Sequence, residues 1–341
     1  MTIAAAPGQQ QARPSSGAAH LLLVWGLPLA LLALAIVLGI ALGPVNLAPA
    51  RVIDGLLNRG EPLDHTIVWD LRLPRVLLAV LVGASLGVSG ALLQGVTRNP
   101  LADPHVLGLT AGGGFAASLA LRLYSDFPHE LMAPVAFAGS LLGAALVYLL
   151  SWRGGVSPVR LALSGVAVAS LLTACTTMVL VTSNFTTQAA LAWLAGGLFG
   201  RGWVDLKVMW PYAAAGLGAA MLLTRGMNIL ALGDEAAQSL GLGVERTRLF
   251  AVAVAALLAG AAVSVAGMVA FVGLLIPHVA RGLNGDDHRG LVPLSAILGA
   301  TLVVYADLFA RMVERPVEIP LGIVTAVIGA PFLLYLVRAK A

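Results

Sequence analysis

Charge is scarce in this chain. Of 341 residues only 11% are Asp, Glu, Lys or Arg, against 59% hydrophobic, and the mean hydropathy is +0.93. An ordinary soluble domain carries roughly twice that charged share. So few charges cannot cover so much apolar surface in water, so the expected solvent is a bilayer. Lysine is nearly absent: the two present, Lys207 and Lys340, lie outside any G-x-x-x-x-G-K-[ST] loop. Without that phosphate cradle, ATP hydrolysis by this chain is not expected. No H-E-x-x-H pair is present either, and Ser164-Gly165 is an isolated pair in an apolar run, a poor intramembrane nucleophile.

Cysteine is limited to Cys175, so no intrachain disulfide can form. The six histidines (His20, His65, His105, His129, His278, His288) show no metal-ligand spacing. No metal, no cofactor and no nucleic acid are therefore expected, although the net charge is +4; the basic residues are scattered through short loops as helix-end anchors. Acidic groups at mid-membrane are few. The nearest candidate, Asp307, precedes Arg311 by one helical turn and is expected to pair with it. An ion-driven carrier usually needs more, so the energy source is expected in another chain.

What is abundant is apolar sequence in long runs. Helices are expected over 21–43, 74–95, 104–123, 130–151, 158–182, 204–224, 247–268, 270–283, 291–312 and 319–337, ten in all. The runs are near-continuous, whereas barrel strands would alternate. The fold class is thus an all-α polytopic membrane protein: residues 1–20 a disordered N-terminal tail, 21–341 a single transmembrane domain. The segment 270–283 is short for a full span, which suggests a tilted or broken helix. An even number of spans puts both termini on one side, and a slight excess of arginine there favours the cytoplasm.

Glycine is the other abundant residue, at 39. Gly83 with Gly87, Gly108 with Gly112 and Gly139 with Gly143 have the spacing that lets helices approach closely in lipid. The stretch Gly83–Gly90 echoes Gly260–Gly267, and each precedes a Pro-His-Val, at Pro104 and Pro277. The two lie in helices expected to run oppositely, as an inverted internal repeat would.

Three polar punctuations interrupt the apolar runs. They are Arg98–Pro104, Leu232–Leu242 and the end of Phe271–Arg281. Together with Leu73-Pro74-Arg75, Gly90–Gly95, Trp193–Gly196, Asp286–Arg289, Asp307 with Arg311, and Glu318–Gly322 through Gly329–Phe332, they resemble the permeases of ATP-driven importers for iron–siderophore, haem and vitamin B12. The likeness runs from Leu71 to the C-terminus. Gly197 stands where that family usually has serine, and Leu333 where phenylalanine is common.

The resemblance implies a permease subunit in a bacterial cytoplasmic membrane. It implies a homodimer or a pair with a paralogue, two ATP-binding-cassette ATPase subunits inside and a substrate-binding protein outside. Helices five and ten would line a central path. Gly233, Asp234, Glu235, Ala236, Ala237, Gln238, Ser239, Leu240 and Gly241 would couple to the ATPases. Asn99 and Leu101 would form part of a cytoplasmic gate. Arg72, Arg75 and Arg311 would dock the binding protein; salt bridging within the chain (Asp70 with Arg72, Asp307 with Arg311) is the alternative. A ferric siderophore is the expected substrate, with haem or vitamin B12 as alternatives. An ion-coupled secondary transporter and an intramembrane enzyme are the competing classes. The first lacks mid-membrane carboxylates, the second a nucleophile–base pair.

Overall fold

The structure, a computed structural model, describes residues 17–105, 108–124, 127–153, 155–182, 194–315 and 317–340. Among the described residues the regular structure is helical, apart from one isolated bridge between Trp152 and Val156. The helices are α1 (Leu22–Ala41), α2 (Pro49–Leu56), α3 (Pro62–Thr97), α4 (Leu109–Leu123), α5 (His129–Ser151), α6 (Pro158–Val181), α7 (Trp203–Ala231), α8 (Asp234–Ser239), α9 (Val244–Ala266), α10 (Val272–Asn284), α11 (His288–Met312) and α12 (Leu321–Lys340). Each of the ten expected spans is present as a helix. Seven are long and apolar enough to cross a membrane by themselves.

The differences lie at the ends, where hydropathy stops reporting on the backbone. Helix α7 runs to Ala231 rather than 224, through Arg225 and Asn228, because a helix leaving lipid keeps its hydrogen bonds while its side chains turn polar. Helix α3 begins at Pro62, twelve residues early, and passes through a π-helical stretch, Thr66–Arg72. Helix α2 was not expected. Its signals were Pro49 at the first turn and the ion pair that Arg51 makes with Asp64 at 2.7 Å. Of the tail expected to be disordered, residues 1–16 lie outside the described residues, and Ala18–Leu21 is already helical and leads into α1.

Helices α3 and α9 are the most enclosed, and α3 packs against α11, α9, α7 and α10. Glycine makes this possible. A Cβ on Gly83 would lie 2.1 Å from the carbonyl oxygen of Gly299, and one on Gly112 would lie 2.3 Å from that of Gly139. Backbones therefore touch where these pairs were expected to bring helices together. The two echoing glycine stretches fall in α3 and α9. The letters Gly83-Ala-Ser-Leu-Gly87 also spell the hydrolase pattern G-x-S-x-G. Here, however, Ser85 is fully buried within a continuous helix, not at the strand-to-helix elbow that activates such a serine.

Helices α1, α6 and α7 turn most of their side chains outward. Leu142, Leu149, Leu163, Met178, Leu222 and Leu334 are all exposed. That suits a surface solvated by lipid, where helices satisfy their own backbone groups. Helix α10 has only 13 residues. It is reached by an extended stretch after Gly267 (φ 66°) and begins after Phe271, a non-glycine residue at φ 67°. This is the broken helix that its length suggested, and its irregular approach is enclosed in protein.

Candidate functional site

Two polar ends stand apart on this bundle. The first is built around α8. Gly233 (φ 111°) and Gly241 (φ 79°) bracket the helix, both in conformations an L side chain resists. Between them Glu235, Ala236, Gln238, Ser239 and Leu240 face outward, as does Gly241. Ala237 is the exception. It is fully buried and belongs to the main apolar core, so a partner cannot touch it. That corrects its inclusion in a partner-facing set: on a helix of six residues one side must seat the helix on the body.

Asp234 opens α8, and its carboxylate does not face outward alone. Both oxygens accept from Arg248 Nη2 at 3.1 Å, and Arg98 Nη2 bonds one of them. Partial burial pushes the carboxyl up, but bonds and charge from Arg248 and Arg98 outweigh it and hold the pKa below the ordinary value. Arg248 is wholly buried in α9 and also donates to the carbonyl of Val156 and to Glu245. Arg98 also donates to the Leu230 carbonyl at 3.1 Å.

Beside α8 lies the turn that follows α3. Arg98 closes that helix at φ 49°, Asn99 Oδ1 accepts the Leu101 N–H at 2.9 Å, and Leu101 is 45% exposed at the tip. Asn99 itself is half-buried. Asn99 and Leu101 are thus presented together by one small Asx turn. The turn then folds back into the bundle. Asp103 is buried, its Oδ1 accepts the His105 N–H at 2.7 Å, and its Oδ2 has no hydrogen-bond partner. Burial raises its pKa, against the opposing pull of His105 and of the Leu274 N–H near the start of α10. Gln94 ties the same place together. It donates to the carbonyls of Ala102, Gly273 and Leu274 and accepts from Arg281.

The second polar end joins α3, α11 and α12. Arg75 reaches Asp307 at 2.9 Å and Glu318 at 2.8 Å, and Arg311 pairs with Asp307 at 3.1 Å. Arg72 donates to the carbonyls of Ile40, Ala41 and Val45. Arg72 and Arg311 are 4% and 2% exposed. The docking rim read from the sequence is therefore corrected for these two. A guanidinium enclosed by its own chain's carbonyls and carboxylates cannot meet a partner's carboxylate without first giving those up. The Asp307–Arg311 pair matches the alternative; Arg72 instead takes carbonyls in the last turn of α1 and just beyond it. Arg75 is also engaged on both sides, but its side chain keeps 11% exposure.

Between α11 and α12 a cleft of about 710 Å³ opens, lined by Leu302, Tyr305, Phe309, Ile323, Val327 and Ile328 among others, almost wholly apolar. Helices α6 and α12, expected to line a path, leave much of their apolar surface uncovered. Among the described residues, no three His, Cys, Asp or Glu side chains gather as metal ligands would. Of the Trp193–Gly196 stretch that carries part of the resemblance, Trp193 lies outside the described residues. Gly196 and Gly197 pack on the stretch after α9, with the Gly197 N–H donating to the Ala266 carbonyl.

Comparison with known proteins gives a consistent picture. The model of the FecCD transport family matches residues 31–339. The iron(3+)-hydroxamate import system permease protein FhuB of Bacillus subtilis (strain 168) is 40% identical over 92% of this chain and 82% of its own length. The ferric enterobactin transport system permease protein FepD of Escherichia coli (strain K12) is 39% identical over 92% and 94%. The cobalamin import system permease protein BtuC of Halobacterium salinarum (strain ATCC 700922 / JCM 11081 / NRC-1) is 44% identical over 81% and 74%. Among solved structures, an inward-facing metal-chelate type ABC transporter superposes with a TM-score of 0.83 at 29% identity. That match covers 93% of this chain and 99% of that one.

Proposed function

The chain belongs to the FecCD transport family, and from that premise we propose that it is the permease subunit of an ATP-binding-cassette importer for a ferric siderophore. Two such chains, or this chain and a paralogue, would enclose the path. Two ATPase subunits would seat on α8, and a binding protein would deliver substrate at the Arg75 end. The observation that carries the reading is α8 itself. A short helix that turns Glu235, Ala236, Gln238, Ser239 and Leu240 outward, bracketed by two glycines, stands beside the turn bearing Asn99 and Leu101. A chain without a phosphate-cradling loop needs such a contact to receive energy from elsewhere.

The surfaces that α6 and α12 leave uncovered are apolar, and no metal-ligand group gathers among the described residues, which fits a bulky solute selected elsewhere. The iron-chelate names of several relatives support a siderophore. Vitamin B12 is a second reading, and it rests on the 44% identity to a cobalamin permease. The test is uptake into vesicles that hold the permease with its ATPases and binding protein. The panel is a ferric hydroxamate, a ferric catecholate, haem and vitamin B12. ATP-dependent uptake of a ferric chelate is expected. Uptake of vitamin B12 alone would replace the substrate, and uptake driven by an ion gradient without ATP would overturn the importer reading.

A further inference from the structure

We infer that Arg98, Asp234 and Arg248 form the mechanical link that carries motion of α8 to the turn bearing Asn99 and Leu101. The inference rests on the proposed coupling and gating roles of those two segments. It names the residues that would join them.

The geometry is specific. Asp234 is the first residue of α8, and one carboxylate holds two arginines from different elements. Arg248 is the fixed arm. Its side chain is 1% exposed, and it is held in turn by Glu245 at 3.1 Å and by the Val156 carbonyl. The Val156 N–H donates back to Glu245 at 3.2 Å, which locks the loop before α6 onto the start of α9. Arg98 is the moving arm. It sits one residue before Asn99, and its guanidinium reaches past its own turn to Asp234 and to the Leu230 carbonyl at the end of α7. Three segments (the end of α3, the end of α7 and the start of α8) therefore meet on one side chain.

The two arms differ in strength. The Arg98–Asp234 pair is 36% and 40% exposed. A pair so open to water is weak and exchangeable, whereas the buried arm is costly to break. Arg98 also occupies a left-handed conformation at φ 49°, ψ 33°, which glycine would adopt without strain. Arginine in that place puts a long cationic arm where glycine would put none. In the proposed link α8 pivots between Gly233 and Gly241 about the Arg248–Asp234 contact, and the Asp234 oxygen that faces Arg98 turns with it. A tilt then pulls or frees Arg98 and reorients the peptide that leads into Asn99.

The test uses the assembled complex with its ATPases and binding protein, carrying Asn99→Cys in a Cys175→Ala background. Cross-linking between protomers is read with and without a non-hydrolysable ATP analogue. Uptake per ATP hydrolysed is read with the chelate taken up in the panel above. With Arg98 intact, the cross-link is expected to respond to nucleotide. With Arg98→Gln, that response is expected to vanish and uptake per ATP to fall tenfold or more. Arg98→Lys, which keeps the charge on a shorter and less branched donor, is expected to recover part of both. A merely structural role would lower the yield of complex but leave the response of the surviving complexes unchanged. A nucleotide response and an uptake ratio in Arg98→Gln equal to those with Arg98 intact would overturn the link. So would failure of both Arg98 variants to assemble, which would assign the trio to folding alone. If the cross-link ignores nucleotide even with Arg98 intact, the gate reading falls, and the link with it.

Discussion

Asp103 and Arg75 are enclosed ionisable residues with opposite fortunes. Asp103 has backbone N–H groups for company and one oxygen without a partner. Because burial raises its pKa, the folded chain holds a proton there that the unfolded chain releases. Stability therefore falls as pH rises from the ordinary carboxylate value through the raised one. Asp103→Asn keeps an acceptor for the His105 N–H and never ionises. It is expected to melt higher than the parent at about pH 8, with the gap closing toward about pH 4, in thermal unfolding in detergent. Arg75, by contrast, neutralises two carboxylates. Arg75→Met strands Glu318 and weakens Asp307, and is expected to cost about 3 kcal/mol. Adding Glu318→Gln should recover part of that, since Asp307 keeps Arg311; equal stability of the single and double variants would contradict this. The Asp307–Arg311 pair was legible in the sequence because it spans one helical turn. Arg75 with Glu318 was not, because 243 residues separate them and a single sequence reports only local neighbours.

At the scale of elements, apolar length was a reliable guide and polarity was not. The ten spans were legible because lipid demands long apolar helices. Helix α2 and the start of α3 were missed because a short helix at a membrane surface looks like a loop in hydropathy. The small-residue spacings were legible as close contacts, though not which helix each would meet. The pair across α3 and α11 makes this testable. Gly83→Ala places a methyl 2.1 Å from the Gly299 carbonyl, so the helices must part, at a cost of roughly 1–3 kcal/mol. Gly218→Ala, in α7 with nothing within 4 Å of the added carbon, is expected to be neutral or stabilising. Comparable melting temperatures for the two would refute the close packing. Helix α8 was legible as a polar connector, but its buried side was not. Leu240→Glu, on a residue 63% exposed, is expected to spare the fold and abolish co-purification with the ATPases. Ala237→Glu, in the core, is expected to abolish the folded permease itself. ATPase binding that survives Leu240→Glu would remove α8 from the interface.

The whole molecule has two distinct ends, joined by helices that run between them. At one end Asn228 of α7 bonds Asp287 and His288 at the head of α11, and His288 lies against Gly95 near the foot of α3. At the other, Arg75 near the head of α3's apolar run meets Asp307 in α11 and Glu318 before α12. Helices α3 and α11 thus each run the full thickness, in opposite senses. Helix α9 leaves the first end, so the chain must return to it before Asp287, and the stretch from Gly267 through α10 makes that return with only 13 helical residues. Such a half-helix is admissible because its irregular entry packs on Gly196, Gly322 and Gly329, and its first turn on α3 and Asp103. Counting that return as a span, the start of α1 and the end of α12 are expected on one side. If α8 receives ATPases, that side is the cytoplasm, and the loop after α2 lies outside. Single cysteines in a Cys175→Ala background test this directly, since Cys175 is the chain's one native thiol. Arg59→Cys is expected to react with a membrane-impermeant thiol reagent in intact cells, because Arg59 is exposed at the Arg75 end. Leu240→Cys is expected to react only after the membrane is opened. The reverse pattern would invert the molecule and take the energy-coupling role away from α8. Labelling of both from outside would mean that one of the five helices between them, α3 to α7, does not cross.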